Sequence, residues 1–193
     1  MGREEKRQRI YEAALRLFSR KGYKETTVEA IASELGMTKG NLYLYAKNKR
    51  DLYNCAVAWA LTRWQQKAKR EADKEESAAA RLYAYFNAGY HYLESDTVLR
   101  QLMVSDPSIF PLTEKYDTFH RINENSKRIL LGYLDEGIGR GEFRAFDAQG
   151  VVELLYPYYV MLVVKRYITM DKAPSQKVLD SAFEMILYGI LNG

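Results

Sequence analysis

Nine residues between positions 27 and 49 have the types and spacing to hold a polyanion and read its bases: Thr27, Thr38, Lys39, Gly40, Asn41, Tyr43, Tyr45, Lys47 and Lys49. The Asn41 amide carries a donor and an acceptor side by side, the pattern that pairs with adenine, and Lys39 reaches a guanine or a phosphate oxygen. Gly40 beside them lets the backbone approach a base edge. Thr27 and Thr38 stand where helices begin, and free N–H groups at a helix start suit phosphate oxygens. Each residue also has a plainer role. Threonines cap helices in any helical protein, a lone lysine is ordinarily a solvated charge, and Tyr45 is divided between core packing and phosphate contact. Leu42, in their midst, is assigned to the core. The assembled set is what points to nucleic acid.

The charge distribution agrees. The chain has 193 residues and a net charge of +4, but residues 1–50 hold 12 Lys and Arg against six Glu, a local +6, while the remainder carries −2. A concentrated basic excess binds polyanions by counterion release, which leaves DNA, RNA or an anionic membrane surface as candidates. A membrane binder would need an amphipathic helix with its apolar face free for lipid, and the first helix uses that face for a core. With 47% hydrophobic and 28% charged residues the chain is expected to fold as a soluble globular protein. Cys55 is the single cysteine, so neither an intramolecular disulfide nor a cysteine metal cluster is available, and a reducing cytoplasm fits. Residues 1–9 lack the apolar stretch of a signal peptide. The one long apolar run, residues 151–164, is interrupted by Glu153 and Pro157 and is too short to span a bilayer.

Catalysis and metal binding are excluded as readings. His91 and His120 are the only histidines, and the chain has no glycine-rich phosphate loop and no nucleophile motif. Two histidines and a distant cysteine define no metal site. His91, between Tyr90 and Tyr92, reads as a packed or pocket residue. No cofactor is implied.

The elements that must position the nine residues are helical. Ile10, Ala13, Ala14, Leu17 and Phe18 form one apolar stripe on a helix over about 4–20, which Gly22 ends. A short second helix follows, with Thr26 and Thr27 as N-cap candidates and Glu29 placed for a capping box with Thr26. Val28, Ile31, Ala32 and Leu35 form its buried face. Gly36 stops it, and Thr38 caps the next. Two helices joined across about three residues make a helix-turn-helix, whose second helix enters the major groove. Further helices are expected over about 51–75, 78–94, 97–104, 113–137, 147–170 and 175–191, with loops at 105–111 and 137–146. The fold expected is all-α: an N-terminal three-helix DNA-binding domain over 1–50, then a larger helical domain over 51–193. A continuous helix from near Asn48 would join the two, so the orientation of the first could respond to the second.

The segments 10–18 (IYEAALRLF), 22–23 (GY), 26–32 (TTVEAIA), 35–43 (LGMTKGNLY) and 48–52 (NKRDL) together resemble the tetracycline-repressor (TetR) family. The match covers about 45 residues with spacing kept across three helices; the rest agrees in length, helical character and the Gly141–Arg144 turn. The resemblance implies that Tyr43 and Lys49 hold the DNA backbone and set register. Family members carry an aromatic where this chain has Ala46, so packing beside the recognition helix is expected to differ there.

The resemblance implies three further properties: a homodimer, a palindromic double-stranded operator, and a small-molecule effector bound in the larger domain. The helix near 147–170 is apolar nearly all round and must be buried, and the last helix carries small residues that allow close approach. Val152, Leu155, Val163, Val178, Ala182, Met185 and Gly189 are the dimer candidates, with the chain's own core as the alternative for about half. For an apolar or aromatic effector the candidates are Trp59, Phe86, Tyr90, Met103, Phe119, Tyr156 and Tyr159, each with a core alternative. Pro157 is expected to kink its helix and open a pocket beside Tyr156. The alternative is control by a protein partner in place of an effector.

Overall fold

The computed structural model describes residues 2–110, 117–167 and 176–191. Its helices are α1 (Arg3–Glu25), α2 (Val28–Glu34), α3 (Lys39–Leu42), α4 (Lys49–Ala72), α5 (Ala78–Ser95), α6 (Thr97–Ser105), α7 (His120–Gly139), α8 (Ala148–Tyr167) and α9 (Gln176–Ile190), with a 3-10 turn at Pro107–Ile109. Residues 113–116, 168–170 and 175, expected at three helix ends, lie outside the described residues. The chain divides into two compact units, one of Met1–Arg63 with Asp96–Phe119, the other of Trp64–Ser95 with His120–Gly193. Helix α4 contributes to both.

In the first unit, Ile10, Ala13, Ala14, Leu17 and Phe18 are buried as one stripe, and Tyr11 and Leu15 join them. The wider burial follows from two sets of neighbours, since α1 packs against α6 as well as α2. At Gly22 the backbone of α1 leaves helical geometry (φ 76°, ψ 165°) before a last turn to Glu25. The α2–α3 turn needs positive φ at Gly36 (64°), a conformation costly for any residue with a Cβ.

Two local readings change. The N-cap of α2 is Thr27, whose hydroxyl accepts from the Ala30 N–H at 3.1 Å. Thr26 is fully buried and donates instead to the carbonyls of Gly22 and Leu17 at 2.8 and 3.2 Å, so no capping box forms with Glu29. A buried hydroxyl must find acceptors, and the interruption of helical geometry at Gly22 supplies one. Residues 117–119, expected within a helix, precede α7 instead; the Asp117 carboxylate accepts from the Phe119 N–H at 2.8 Å and holds them in a turn.

The second unit has a core built from α5, α7, α8, α9 and the end of α4, centred on Leu82, Tyr85, Phe86, Leu130, Leu134, Phe143, Val152 and Phe183. Helix α5 packs against α7, α8 and α9. Asp147 caps α8, accepting from the Gly150 N–H at 3.1 Å. The helix then runs unbroken through Pro157, whose ring is exposed.

Candidate functional site

The helix-turn-helix is built around Leu42. That side chain is fully buried, as are Val28 and Ile31 of α2, and Thr38 caps α3 by accepting from the Asn41 N–H at 3.2 Å. With Leu42 turned inward, Lys39, Gly40, Asn41 and Tyr43 face solvent. Helix α3 spans only one turn. The chain then continues through a hydrogen-bonded turn at Tyr43–Tyr45, where the Tyr45 N–H donates to the Leu42 carbonyl at 2.9 Å. Ala46 is buried and Tyr45 half-buried, with the Lys6 ammonium 5.9 Å from the Tyr45 ring centre.

The cations differ in their freedom. Lys47 has an exposed side chain; its backbone N–H donates to Asp51 at 2.7 Å, while Asn48 accepts from the Asp51 N–H at 2.9 Å and starts α4. Lys49 donates to the Lys24 carbonyl at 3.1 Å and lies 4.6 Å from the Tyr23 ring centre, with the Arg50 guanidinium 5.3 Å from the same ring. Part of its bonding capacity therefore holds the unit together. Lys39 pairs with Glu29, and the ion pair lowers the Glu29 pKa and raises that of Lys39. Thr27 and Thr38 both spend their hydroxyl oxygens as caps. Thus all nine residues lie on one stretch of the first unit, five of them with no backbone role for the side chain.

The effector candidates divide between the units. Trp59, Met103 and Phe119 belong to the first, where Met103 and Phe119 are buried and Trp59 is half-buried under the Arg63 guanidinium, 4.6 Å from its ring centre. Phe86, Tyr90, Tyr156 and Tyr159 belong to the second. There a small, open apolar pocket is lined by Phe86 of α5, residues of α8 that include Leu155, Tyr158 and Tyr159, and Leu179, Ala182, Phe183 and Ile186 of α9. It takes in Phe86 and Tyr159, whose ring centres are 5.0 Å apart. Burial raises the Tyr159 phenol well above its ordinary pKa. Tyr90 is fully buried with the Arg166 guanidinium 4.8 Å from its ring centre, and Tyr156 donates to Asn123 at 2.7 Å. The pocket beside Pro157 thus opens along Tyr158 and Tyr159, and Tyr156 is not part of its lining.

The dimer candidates divide by exposure. Val152, Leu155 and Val163 are buried in the chain's own core, Ala182 is half-buried, and Val178, Met185 and Gly189 are exposed. The exposed apolar side chains of these helices fall into two stripes, Leu154, Tyr158 and Met161 on α8, and Val178, Met185 and Tyr188 on α9. Leu154, Met185 and Tyr188 are 72, 72 and 79% exposed. Periodicity alone does not divide α8, because the exposed residues at 154, 158 and 161 are as apolar as the buried ones at 152, 155, 162 and 163.

Among the described residues no helix is long and apolar enough to cross a membrane, and no cluster of His, Cys, Asp and Glu is arranged for a metal. Residues 10–55 match the family model described as bacterial regulatory proteins, tetR family. The fatty acid metabolism regulator protein of Bacillus subtilis is 26% identical over 190 residues, 95% of this chain and 94% of that protein. The fold alone is shared with two solved structures: a transcriptional regulator FadR from Bacillus subtilis in complex with stearoyl-CoA (TM-score 0.76, 22% identity, 94% of this chain and 98% of the other), and a transcriptional regulator from Saccharomonospora viridis in complex with choline (TM-score 0.73, 22% identity, 99% and 100%). Each of these proteins is a regulator by name. A helix-turn-helix around a buried Leu42 and the matched segment that contains it agree: in residues 10–55 the chain carries the segment that defines the tetR family of bacterial regulatory proteins.

Proposed function

We propose that this chain is a ligand-responsive dimeric repressor that acts in the cytoplasm, binds a palindromic operator in duplex DNA through residues 1–50, and is released when a small apolar molecule binds within residues 51–193. The observation that carries the DNA reading is the division of side chains around α3. Leu42 and Ala46 are buried, while Lys39, Gly40, Asn41, Tyr43 and Lys47 are presented to solvent beside a local +6 charge. Asn41 reads a base edge, and Lys39, Tyr43, Lys47 and Lys49 hold phosphates.

The exposed apolar stripes of α8 and α9 support the dimer, because large apolar side chains left in water at this density mark an association surface. A twofold dimer presents two recognition helices to two half-sites and so reads a palindrome. The apolar pocket supports an effector with a hydrocarbon portion, since its lining carries no charged side chain. Bound ligand need only favour a conformation that fits the operator poorly; a coupling of about 1–3 kcal/mol changes affinity roughly 5–150-fold.

The test is selection of duplexes from random sequence by the purified protein, followed by titration across salt concentrations with Asn41→Ala and Tyr43→Phe. A palindrome with a steep salt slope is expected, with specificity relaxed by the first change and affinity lowered evenly by the second. Stearoyl-CoA is the first effector probe, with free coenzyme A as control. Release by the acyl form alone supports the apolar site. Shallow, sequence-independent binding would overturn the operator reading and direct attention to a protein partner.

A further inference from the structure

We propose that Leu44 is a base-reading residue that recognises the C5-methyl group of a thymine. The inference rests on the operator reading above and assigns one element of its specificity. Leu44 is 74% exposed, whereas Leu42 and Ala46 on either side of it are buried. Among the described residues of the first unit, the other exposed large apolar side chains are Tyr43 and Val104, at 39 and 40%.

Its placement follows from the turn. The Leu44 N–H donates to the Asn41 carbonyl at 3.4 Å, so the chain keeps a helical sense past the end of α3. Leu44 therefore comes three residues after Asn41 and four after Gly40, the spacing that puts side chains on one face. That face is the one opposite Leu42. Along the chain Leu44 is flanked by Lys39, Tyr43 and Lys47, all exposed.

Chemistry then selects the occupant. A protein partner's hot spot is depleted of lysine at its centre, whereas here an isolated apolar side chain stands among cations. Duplex DNA matches both features, with phosphates for the lysines and, in the major groove, one apolar group on any base edge, the thymine methyl. Leu44 has no donor or acceptor, so this methyl is the one base feature it can distinguish.

The test uses the full chain and the duplex it selects, with each thymine replaced in turn by deoxyuridine, which removes the methyl and leaves the pairing edge intact. Loss of roughly fourfold affinity per half-site at one symmetry-related thymine is expected, the worth of burying one methyl-sized group. Leu44→Ala should bind the thymine and uracil duplexes equally, and Leu44→Met should restore the preference. The salt slope should be the same for all three proteins, because no phosphate contact changes. Indifference of the unmutated protein to every replacement, or a methyl preference that persists in Leu44→Ala, would overturn the assignment while leaving the operator reading intact. Failure to select any sequence would overturn both.

Discussion

Glu29, in the first turn of α2, is ion-paired with Lys39, the first residue of α3, and the Lys39 ammonium lies 5.8 Å from the Tyr43 ring centre. A lysine offered to DNA is thus partly neutralised in the free protein. Both partners are about half exposed, so the pair adds little to stability. Its consequence is in binding, where phosphate or a base must displace a carboxylate that itself repels the DNA backbone.

Glu29→Gln should therefore raise affinity for non-operator DNA by roughly two- to tenfold at low salt and steepen the salt slope, while the melting temperature stays nearly constant. Titration of random-sequence duplexes across salt concentrations checks this. Unchanged affinity and slope would mean that Lys39 does not meet DNA.

Tyr53 and Asp106 join α4 to the turn after α6 within the first unit. The phenol donates to the carboxylate at 2.5 Å, and its ring stands edge-on to Phe18 with centres 5.0 Å apart. Burial and the neighbouring carboxylate together push the phenol pKa far above its ordinary value. Tyr53→Phe keeps the ring contacts and removes a bond to a charged acceptor, which should cost about 1.5–3 kcal/mol. Asp106→Ala should cost about 1 kcal/mol more, since Asp106 also accepts from the Ser108 N–H at 3.1 Å as a cap. Denaturant unfolding of the two variants measures both.

The stripes on α8 and α9 make a contrast available. Leu154→Lys combined with Met185→Lys should leave monomer folding intact, because both side chains are 72% exposed, yet should shift the protein to a monomer in sedimentation and weaken operator binding. Val152→Ala, at a position buried in the core, should instead lower stability by about 1–3 kcal/mol, twice the range for loss of one methyl-sized group, and leave the association constant largely unchanged. A dimer that survives the double change would place the interface elsewhere.

Glu94 gives the second unit a pH dependence of known sign. The His91 ring, at 3.0 Å, and the Arg166 guanidinium, at 2.6 Å, hold its carboxyl below the ordinary 4.5. A carboxyl with a depressed folded pKa contributes stability above its unfolded value, and the contribution is lost as pH falls through the folded one. Glu94→Gln should accordingly lower the melting temperature slightly at pH 7, with a smaller effect as the pH is taken down through the carboxyl's folded pKa. The difference between the two melting curves should begin to narrow as the pH falls below 4.5.

The chain's order along itself sufficed for everything local. The apolar stripe of α1, the glycine at positive φ after α2, the Thr38 cap, the buried Leu42 and the outward Asn41 all follow from helical periodicity and cap chemistry, which act within a few residues. Thr26 lay beyond that reach, because its acceptor depends on where α1 breaks. So did the choice among apolar residues of α8. A helix apolar on all sides has no preferred inward face until neighbours are fixed, and α5 and α7 bury Val152 and Leu155 while leaving Leu154 in water. The aromatics were undecided for the same reason: core and pocket are lined by identical residue types, and only packing sent Phe86 and Tyr159 to a pocket and Met103 to a separate core. The pairing of Glu29 with Lys39 and the exposure of Leu44 depend likewise on how α2 meets α3, a relation between helices that periodicity within either does not contain.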